Sequence, residues 1–158
     1  MLPADQNAPL TAERLTVVIA AFNEATSIPL LHPRLQGVLA GLSGVQTHVL
    51  YVDDGSTDDT WQVLQALTDA DAQVSALRLS RNFGKEVAIS AGLDHVQPGA
   101  VVLLDADGQD PPELIPEFVA LWRAGYDNIF GTRVFREGES WLKRAAAHAF
   151  YRVIRQLS

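Results

Sequence analysis

The sequence predicts an α/β protein whose mostly parallel sheet is flanked by helices, and three observations support this fold class. Short apolar runs rich in Val, Ile and Leu alternate with segments of helical periodicity along the 158 residues. Parallel strands need long crossover connections, for which a helix is the usual choice. Polar clusters follow the strands at one common end, where open α/β sheets bind ligands. The length suits one domain with a hydrophobic core of its own.

The predicted elements follow from these patterns in order along the chain. Residues 15–22 and 101–104 are apolar runs typical of strands buried in a parallel sheet. Residues 28–42 repeat apolar side chains at helical spacing; Pro29 and Pro33 place the regular part of this helix late, since proline is tolerated only near a helix start. The predicted strands are 15–22, 47–52, 74–80, 101–104 and 128–131. The predicted helices are 28–42, one through 61–67, one around 89–93, 112–124 and 141–157.

Two of the helices have additional signals. Ser56 followed by Asp59 has the character of a capping box, with acids favoured in the first helical turn. Residues 141–157 place their apolar side chains on one stripe and most basic side chains outside it. This pattern predicts a basic amphipathic helix at the surface of an anionic membrane. The alternative is a helix that packs its stripe on the sheet and solvates its basic face.

Charge is distributed unevenly. The net charge is −7, with a balance of −11 over residues 1–132 and +4 over residues 133–158. The acidic bulk argues against a nucleic-acid-binding domain, so no nucleic acid is expected as a partner. The absence of cysteine excludes disulfides and thiolate metal sites. No apolar run approaches the roughly 18–20 residues that span a bilayer, and the start lacks a signal-peptide pattern.

The most informative stretch is the predicted strand 101–104 and the acids that follow it. Asp105 and Asp107 point the same way from an extended backbone, which would place two like charges side by side. A hard divalent cation such as Mg²⁺ or Mn²⁺ would explain the pair and would keep positions open for substrate phosphates. The alternative is a solvated loop or an N-cap before Pro112, since the motif alone is short and common.

A second acidic cluster follows the strand 47–52. A carboxylate of Asp54 can accept hydrogen bonds from a nucleoside base or from ribose hydroxyls. The alternative is turn and cap chemistry, in which Gly55 serves the turn. The sequence has neither a P-loop nor a dinucleotide fingerprint. A metal-bridged diphosphate is therefore the nucleotide-binding mode that the two clusters favour.

Six short motifs follow one another along the chain. Each motif alone is common, but the six in this order and spacing are specific. They are Val-Val-Ile-Ala-Ala-Phe-Asn-Glu (17–24), Tyr-Val-Asp-Asp-Gly-Ser-Thr-Asp (51–58), Arg-Asn-Phe-Gly-Lys (81–85), Asp-Ala-Asp-Gly-Gln-Asp-Pro-Pro-Glu (105–113), Gly-Thr-Arg (131–133) and Glu-Ser-Trp-Leu-Lys-Arg (139–144). The chain resembles glycosyltransferase family 2, the inverting transferases with a GT-A (Rossmann-like) fold. The last two motifs are similar to those of the polyprenyl-phosphate glycosyltransferases, a group that includes dolichol-phosphate mannose synthase and bacterial glucosyl counterparts. Ala20 departs from the proline that the family often has there.

The resemblance implies a role for each matching position. Asp107, Arg133 and Arg144 would be the catalytic residues. The metal, Mg²⁺ or Mn²⁺, would be held by Asp105, Asp107 and Gln109. The nucleotide would contact Phe22, Glu24, Asp53, Asp54, Lys85, Asp105 and Ala106. The acceptor phosphate would contact Arg133, Arg136, Ser140, Lys143 and Arg144.

The resemblance also implies a reaction, an organisation and a location. The expected activity is inverting, metal-dependent transfer of a hexose from a UDP- or GDP-sugar to undecaprenyl or dolichyl phosphate. Residues 1–14 would be a mobile lead-in, 15–132 the nucleotide-sugar-binding domain, and 133–158 an acceptor loop and juxtamembrane helix. Bacterial members usually continue into transmembrane helices, so this chain would be a truncated part of a protein at the cytoplasmic face of the membrane. Two alternatives remain, a soluble or polysaccharide acceptor and a non-catalytic nucleotide-sugar-binding module.

Overall fold

The computed structural model describes residues 13–131, so the predictions for residues 1–12 and 132–158 lie outside the described part. The strands are β1 (Glu13–Ala21), β2 (Val45–Asp53), β3 (Val74–Arg78) and β4 (Ala100–Asp105). The helices are α1 (Ile28–Ala40), α2 (Thr60–Ala70), α3 (Lys85–Leu93) and α4 (Ile115–Arg123), with a 3₁₀ turn over Pro112–Leu114. The chain divides into two compact units, Met1–Asp127 and Asn128–Ser158. The nine elements of the described part of the chain lie in the first unit.

The four strands form one parallel sheet in the order β3-β2-β1-β4, which confirms the predicted fold class. Ile19 of β1 lies between Tyr51 of β2 and Leu104 of β4 in the register. Since every strand runs the same way, the carboxyl ends of β1, β2 and β4 meet at one edge of the sheet. That edge is where the predicted polar clusters lie.

Two hydrophobic clusters hold the layers together, one on each face of the sheet. The larger joins the sheet to α1, α2 and α4 through fully buried side chains such as Tyr51, Leu35 and Ile115. The smaller packs α3 on the other face, where Ala88 contacts Val18 and Val52. A Cβ added to Gly92 of α3 would lie 2.7 Å from Val18 Cγ1, so glycine there lets the helix approach the sheet closely.

The prediction that residues 101–104 form a strand buried in the sheet holds for only one face of β4 in the described part of the chain. β4 lies at the edge of the four-stranded order, and its apolar side chains alternate in exposure. Val102 and Leu104 are buried in the larger cluster, whereas Val101 and Leu103 are 37% and 49% exposed on the other face. An unbroken apolar run does not reveal which face has a covering element.

The first helix begins at residue 28 as predicted, but the expectation that its regular part comes late was wrong, and so was the capping box expected before the second helix. Helix α1 is regular from Ile28, with Pro29 in its first turn and Pro33 accommodated inside the helix. Helix α2 begins after Asp59 without a side-chain cap. Asp58 Oδ1 instead accepts hydrogen bonds from the backbone N–H and the hydroxyl of Thr60 at 3.0 and 2.5 Å. The proposed capping-box serine is engaged elsewhere, as described below.

The last predicted strand, residues 128–131, has no strand pairing in the described part of the chain. These residues belong to the second unit, and they form neither helix nor strand. The predicted helix 141–157 lies wholly outside the described residues. Among the helices between residues 13 and 131, none is long and apolar enough to cross a membrane.

Candidate functional site

A cavity of about 180 Å³ opens at the carboxyl ends of β1 and β4. These two strands lie side by side, with Ala20 opposite Asp105 in the register. The cavity is lined by Ala20, Ala21, Phe22, Glu24, Asp54, Lys85, Asp105, Ala106 and Asp107. Seven of these nine residues were predicted from the sequence to contact nucleotide or metal. Asp53 and Gln109 were predicted with them but do not line this cavity.

Asp53 is fully buried beneath the turn that follows β2. Its Oδ1 accepts a hydrogen bond from the Ser56 N–H at 2.9 Å, and its Oδ2 lies 3.2 Å from Arg78 Nε. The Oδ2 contact is an ion pair without hydrogen-bond geometry, because this buried oxygen has no hydrogen-bond partner in the described part of the chain. The structure therefore gives Asp53 a role in shaping the turn.

Asp54 is buried beside the cavity, and both of its carboxylate oxygens are occupied by backbone. Its Oδ1 accepts from the Phe83 N–H at 2.8 Å, and its Oδ2 accepts from the Gly84 N–H at 2.9 Å. Gly84 has a φ of +99° and immediately precedes helix α3. Asp54 thus fixes the loop that leads into α3 and so positions Lys85, the first residue of that helix.

Gly55 allows the turn after β2 to pack against the same loop. Its φ is +68°, a conformation that side chains with a Cβ rarely adopt. A Cβ at this position would also lie 2.6 Å from Arg81 Cα. The sequence-based view that Gly55 serves the turn is in line with this geometry, and the close approach adds a reason that the sequence did not contain.

Sequence reasoning missed the residues that tie the loop after β1 to the turn after β2. Asn23 adopts a φ of +57°, and its backbone N–H donates to Ser56 Oγ at 2.9 Å. Its side-chain Oδ1 accepts from the Thr57 N–H at 2.9 Å. The Glu24 N–H donates to Thr60 Oγ1 at 2.8 Å. Asparagine directly after a predicted strand was the available signal, since it tolerates positive φ.

Lys85 and Asp105 form an ion pair within the cavity. Lys85 Nζ lies 2.5 Å from Asp105 Oδ1, with the two side chains 54% and 32% exposed. The hydrogen bond to Asp105 raises the pKa of Lys85 above its usual value, so the amine is an ammonium ion at neutral pH. This pairing links helix α3 to the end of strand β4.

Asp107 is exposed on the loop after β4, and it lines the cavity. Its Oδ1 accepts from the Gln109 N–H at 2.9 Å, across Gly108 with a φ of +72°. Asp105 and Asp107 therefore present two carboxylates to one cavity, which is suitable chemistry for a hard divalent cation that completes its shell with ligand oxygens. Within residues 13–131, no three His, Cys, Asp or Glu side chains form a ready-made metal site. The protein donors found here thus need phosphate or water oxygens to complete a shell.

The remaining predicted site residues lie outside the described part of the chain: Arg133, Arg136, Ser140, Lys143 and Arg144. A larger cavity of about 690 Å³ lies at the opposite end of the strands. It is lined by residues such as Arg14, His48 and His95 and includes none of the predicted site residues. The candidate site is accordingly the smaller cavity, where chemistry rather than size singles it out.

A parallel sheet with a polar cavity at its carboxyl edge is the arrangement in which open α/β proteins bind their ligands. The chain matches the family described as glycosyl transferase family 2 over residues 16–157 and belongs to that family. An uncharacterized glycosyltransferase of Synechocystis sp. is 44% identical over 144 residues, which are 91% of this chain and 45% of the relative. The prophage bactoprenol glucosyl transferase homolog of Escherichia coli is 35% identical over 145 residues, 92% of this chain and 47% of the relative.

Solved structures agree with the fold. The mannosyltransferase PcManGT from Pyrobaculum calidifontis, in complex with GDP-Man and Mn²⁺, matches with a TM-score of 0.56 and 25% identity over 73% of this chain and 34% of its own. S. aureus TarS 1-349 matches with a TM-score of 0.57 and 20% identity over 78% of this chain and 38% of its own. The GT-A fold expected from the sequence is thereby confirmed. The chain spans about half the length of the curated relatives that it matches.

Proposed function

We propose that the protein to which this chain belongs transfers a hexose from a nucleotide sugar to a polyprenyl phosphate. The observation that supports this most is the cavity at the end of β4, where Asp105 and Asp107 present paired carboxylates. The relative in E. coli is named as a bactoprenol glucosyl transferase homolog, which points to the acceptor. PcManGT is described in complex with GDP-Man and Mn²⁺, which points to the donor and the metal.

The cavity contains the parts that a nucleoside diphosphate would need. Phe22 is 41% exposed at its rim and offers an aromatic face against which a base can stack. Asp105 and Asp107 would hold Mg²⁺ or Mn²⁺, whose charge would neutralise the diphosphate and favour its departure. Lys85, whose ammonium group is paired with Asp105, would supply a second cation next to the metal. Gln109, the third metal ligand that the family resemblance implies, donates its backbone N–H to Asp107 Oδ1 and so helps to orient that carboxylate.

The proposed reaction requires no protein base. A lipid monophosphate has a second pKa near ~6, so it is largely dianionic at neutral pH and already nucleophilic. Its oxygen forms a bond to the anomeric carbon while the bond from that carbon to the diphosphate oxygen breaks and the electron pair leaves on the diphosphate. Attack from behind inverts the anomeric centre. Alignment and charge stabilisation would supply most of the rate.

The acceptor side of the proposal rests on sequence. Arg133 and Arg144 would hold the lipid phosphate through paired N–H donors, assisted by Arg136, Ser140 and Lys143. The positive balance of residues 133–158 would attract the anionic surface at the cytoplasmic face of a membrane. A nucleic-acid partner is not part of the proposal, because the remaining chain is acidic.

A turnover assay with a short-chain prenyl phosphate tests the proposal. Full-length protein is incubated with UDP- or GDP-sugars and Mn²⁺, with the prenyl phosphate or a free oligosaccharide as acceptor. We expect glycosylated prenyl phosphate only. Product on the oligosaccharide alone would favour the soluble-acceptor alternative. Tight sugar-nucleotide binding without any product would favour the non-catalytic module. Arg133→Ala and Arg144→Ala should raise the KM for prenyl phosphate at unchanged affinity for the nucleotide sugar.

A further inference from the structure

The ion pair between Lys85 and Asp105 places a protein cation where the proposed metal would bind. Of the side chains that line the cavity in the described part of the chain, four are carboxylates and Lys85 alone is a cation. Lys85 contacts Asp105 at 2.5 Å, which is the shortest ion pair between residues 13 and 131.

The other three acids each accept at least one hydrogen bond from a backbone N–H or a hydroxyl group. Both oxygens of Asp54 accept backbone N–H groups of the loop before α3. Glu24 Oε2 accepts from the Ser27 hydroxyl at 2.6 Å. Asp107 Oδ1 accepts from the Gln109 N–H. Asp105 has no such backbone or hydroxyl donor in the described part of the chain, so the ammonium group of Lys85 is the partner it has.

Asp54 also fixes the lysine from the other side. By holding the N–H groups of Phe83 and Gly84, it sets the position at which helix α3 begins and thus the point from which the Lys85 side chain extends. The backbone of Lys85 is therefore held in place by the site, although its side chain is half exposed. A long side chain on a fixed backbone can exchange one anionic partner for another a few ångströms away.

We propose that Lys85 is the counter-cation of Asp105 before ligands bind, and that it moves to the diphosphate when the nucleotide and the metal bind. This inference rests on the proposed function, because it requires a metal at Asp105 and Asp107. While the ammonium group occupies Asp105 Oδ1, it competes with a divalent cation for that oxygen. The incoming diphosphate gives Lys85 a new anionic partner and frees Asp105. Metal and nucleotide should therefore bind cooperatively, with Lys85 as the source of part of the coupling.

The test measures Mn²⁺ binding directly by the loss of the free-ion EPR signal, with and without saturating UDP. Wild-type chain is compared with Lys85→Met, which keeps length and removes charge, and with Lys85→Arg, which keeps charge. Arg123→Met is the matched control, because it removes one cation of similar exposure from an ion pair with Glu13 at the opposite end of β1. Circular dichroism melting confirms that each variant is folded.

We expect Lys85→Met to bind Mn²⁺ about two- to five-fold more tightly than wild type without UDP, the range that a half-exposed ion pair allows. With UDP, the gain in Mn²⁺ affinity should be smaller in Lys85→Met than in wild type. Lys85→Arg and Arg123→Met should follow wild type in both conditions. Weaker or unchanged Mn²⁺ binding by Lys85→Met, with UDP-dependent Mn²⁺ binding intact in wild type, would overturn this inference alone. Absence of Mn²⁺ binding in wild type even with UDP would overturn the proposed metal site and the inference together.

Discussion

Replacing Asp54 by asparagine should mainly destabilise the protein, although the sequence alone allowed this residue to be a nucleoside ligand. Asparagine keeps the shape of the side chain but turns one acceptor oxygen into an NH₂ donor. Asp54 is 3% exposed, and its two oxygens accept from Phe83 N–H at 2.8 Å and Gly84 N–H at 2.9 Å. One backbone donor would then face another donor in a buried place.

The size of the effect follows from these two hydrogen bonds. A hydrogen bond to a charged group contributes about 1.5–3 kcal/mol, and a buried donor left without a partner costs a similar amount. Asp54→Asn loses one such bond and weakens the other, so we expect a loss of about 2–3 kcal/mol in the free energy of unfolding. For a chain of this size, this corresponds to a drop of roughly 4–10 °C in Tm.

Urea unfolding followed by circular dichroism measures the effect, and UDP titration calorimetry is carried out in parallel. Asp107→Asn is the matched control: it makes the same change on an exposed loop, and we expect it to alter the free energy of unfolding by less than about 0.5 kcal/mol. An unchanged unfolding midpoint for Asp54→Asn, combined with a clear loss of UDP affinity, would refute the argument. The carboxylate would then serve the nucleoside directly.

Three further predictions concern the turn, the metal and pH. Gly55→Ala should cost about 2 kcal/mol or more, because the new Cβ meets Arg81 at a φ of +68°; near wild-type Tm would contradict this. Asp107→Asn should bind UDP no better with Mn²⁺ than without it, whereas wild type should lose affinity in EDTA; wild-type affinity that EDTA leaves unchanged would contradict the proposed metal site. Burial lowers the pKa of His32, whose Nδ1 lies 3.1 Å from Tyr51 Oη. The unfolded chain then binds more protons, so stability should fall as pH drops below about 6.5, and His32→Gln should flatten that slope.

The alternation of elements and the edge of the ligand site could be predicted because they depend on local pattern. Apolar runs and helical spacing located eight of the nine elements found between residues 13 and 131, and the ends of parallel strands place their polar neighbours together. The exposed face of β4 could not be predicted, because it depends on which face helix α3 covers. The predicted strand at 128–131 is likewise not a strand in the described part of the chain, and its residue types did not reveal this.

Within the site, the residue types were predictable and their partners were not. Asn23 forms hydrogen bonds with Ser56 and Thr57, which lie more than thirty positions later in the chain. These bonds join the loop after β1 to the turn after β2. No spacing rule reports such contacts. The family resemblance indicated which acids belong to the site. It could not show which of these acids would accept hydrogen bonds from backbone N–H groups. Asp53 was therefore grouped with the nucleotide ligands, although the structure pairs it with Arg78 and the Ser56 N–H.

The two acidic clusters look alike in the sequence, but they differ in burial in the structure, and we expect them to differ in role for that reason. Asp53 and Asp54 at the end of β2 are buried and contact backbone N–H groups and Arg78, so they build the loops around the cavity. The acids after β4 are partly or largely exposed to the cavity, where their charge is available to a ligand or is held by Lys85. Substitutions after β2 should thus appear first in unfolding experiments, and substitutions after β4 first in metal and nucleotide binding. Unfolding and ligand-binding measurements on Asp54→Asn and Asp107→Asn therefore distinguish acids that hold the loops in place from acids that bind ligand. The residue type alone does not make this distinction.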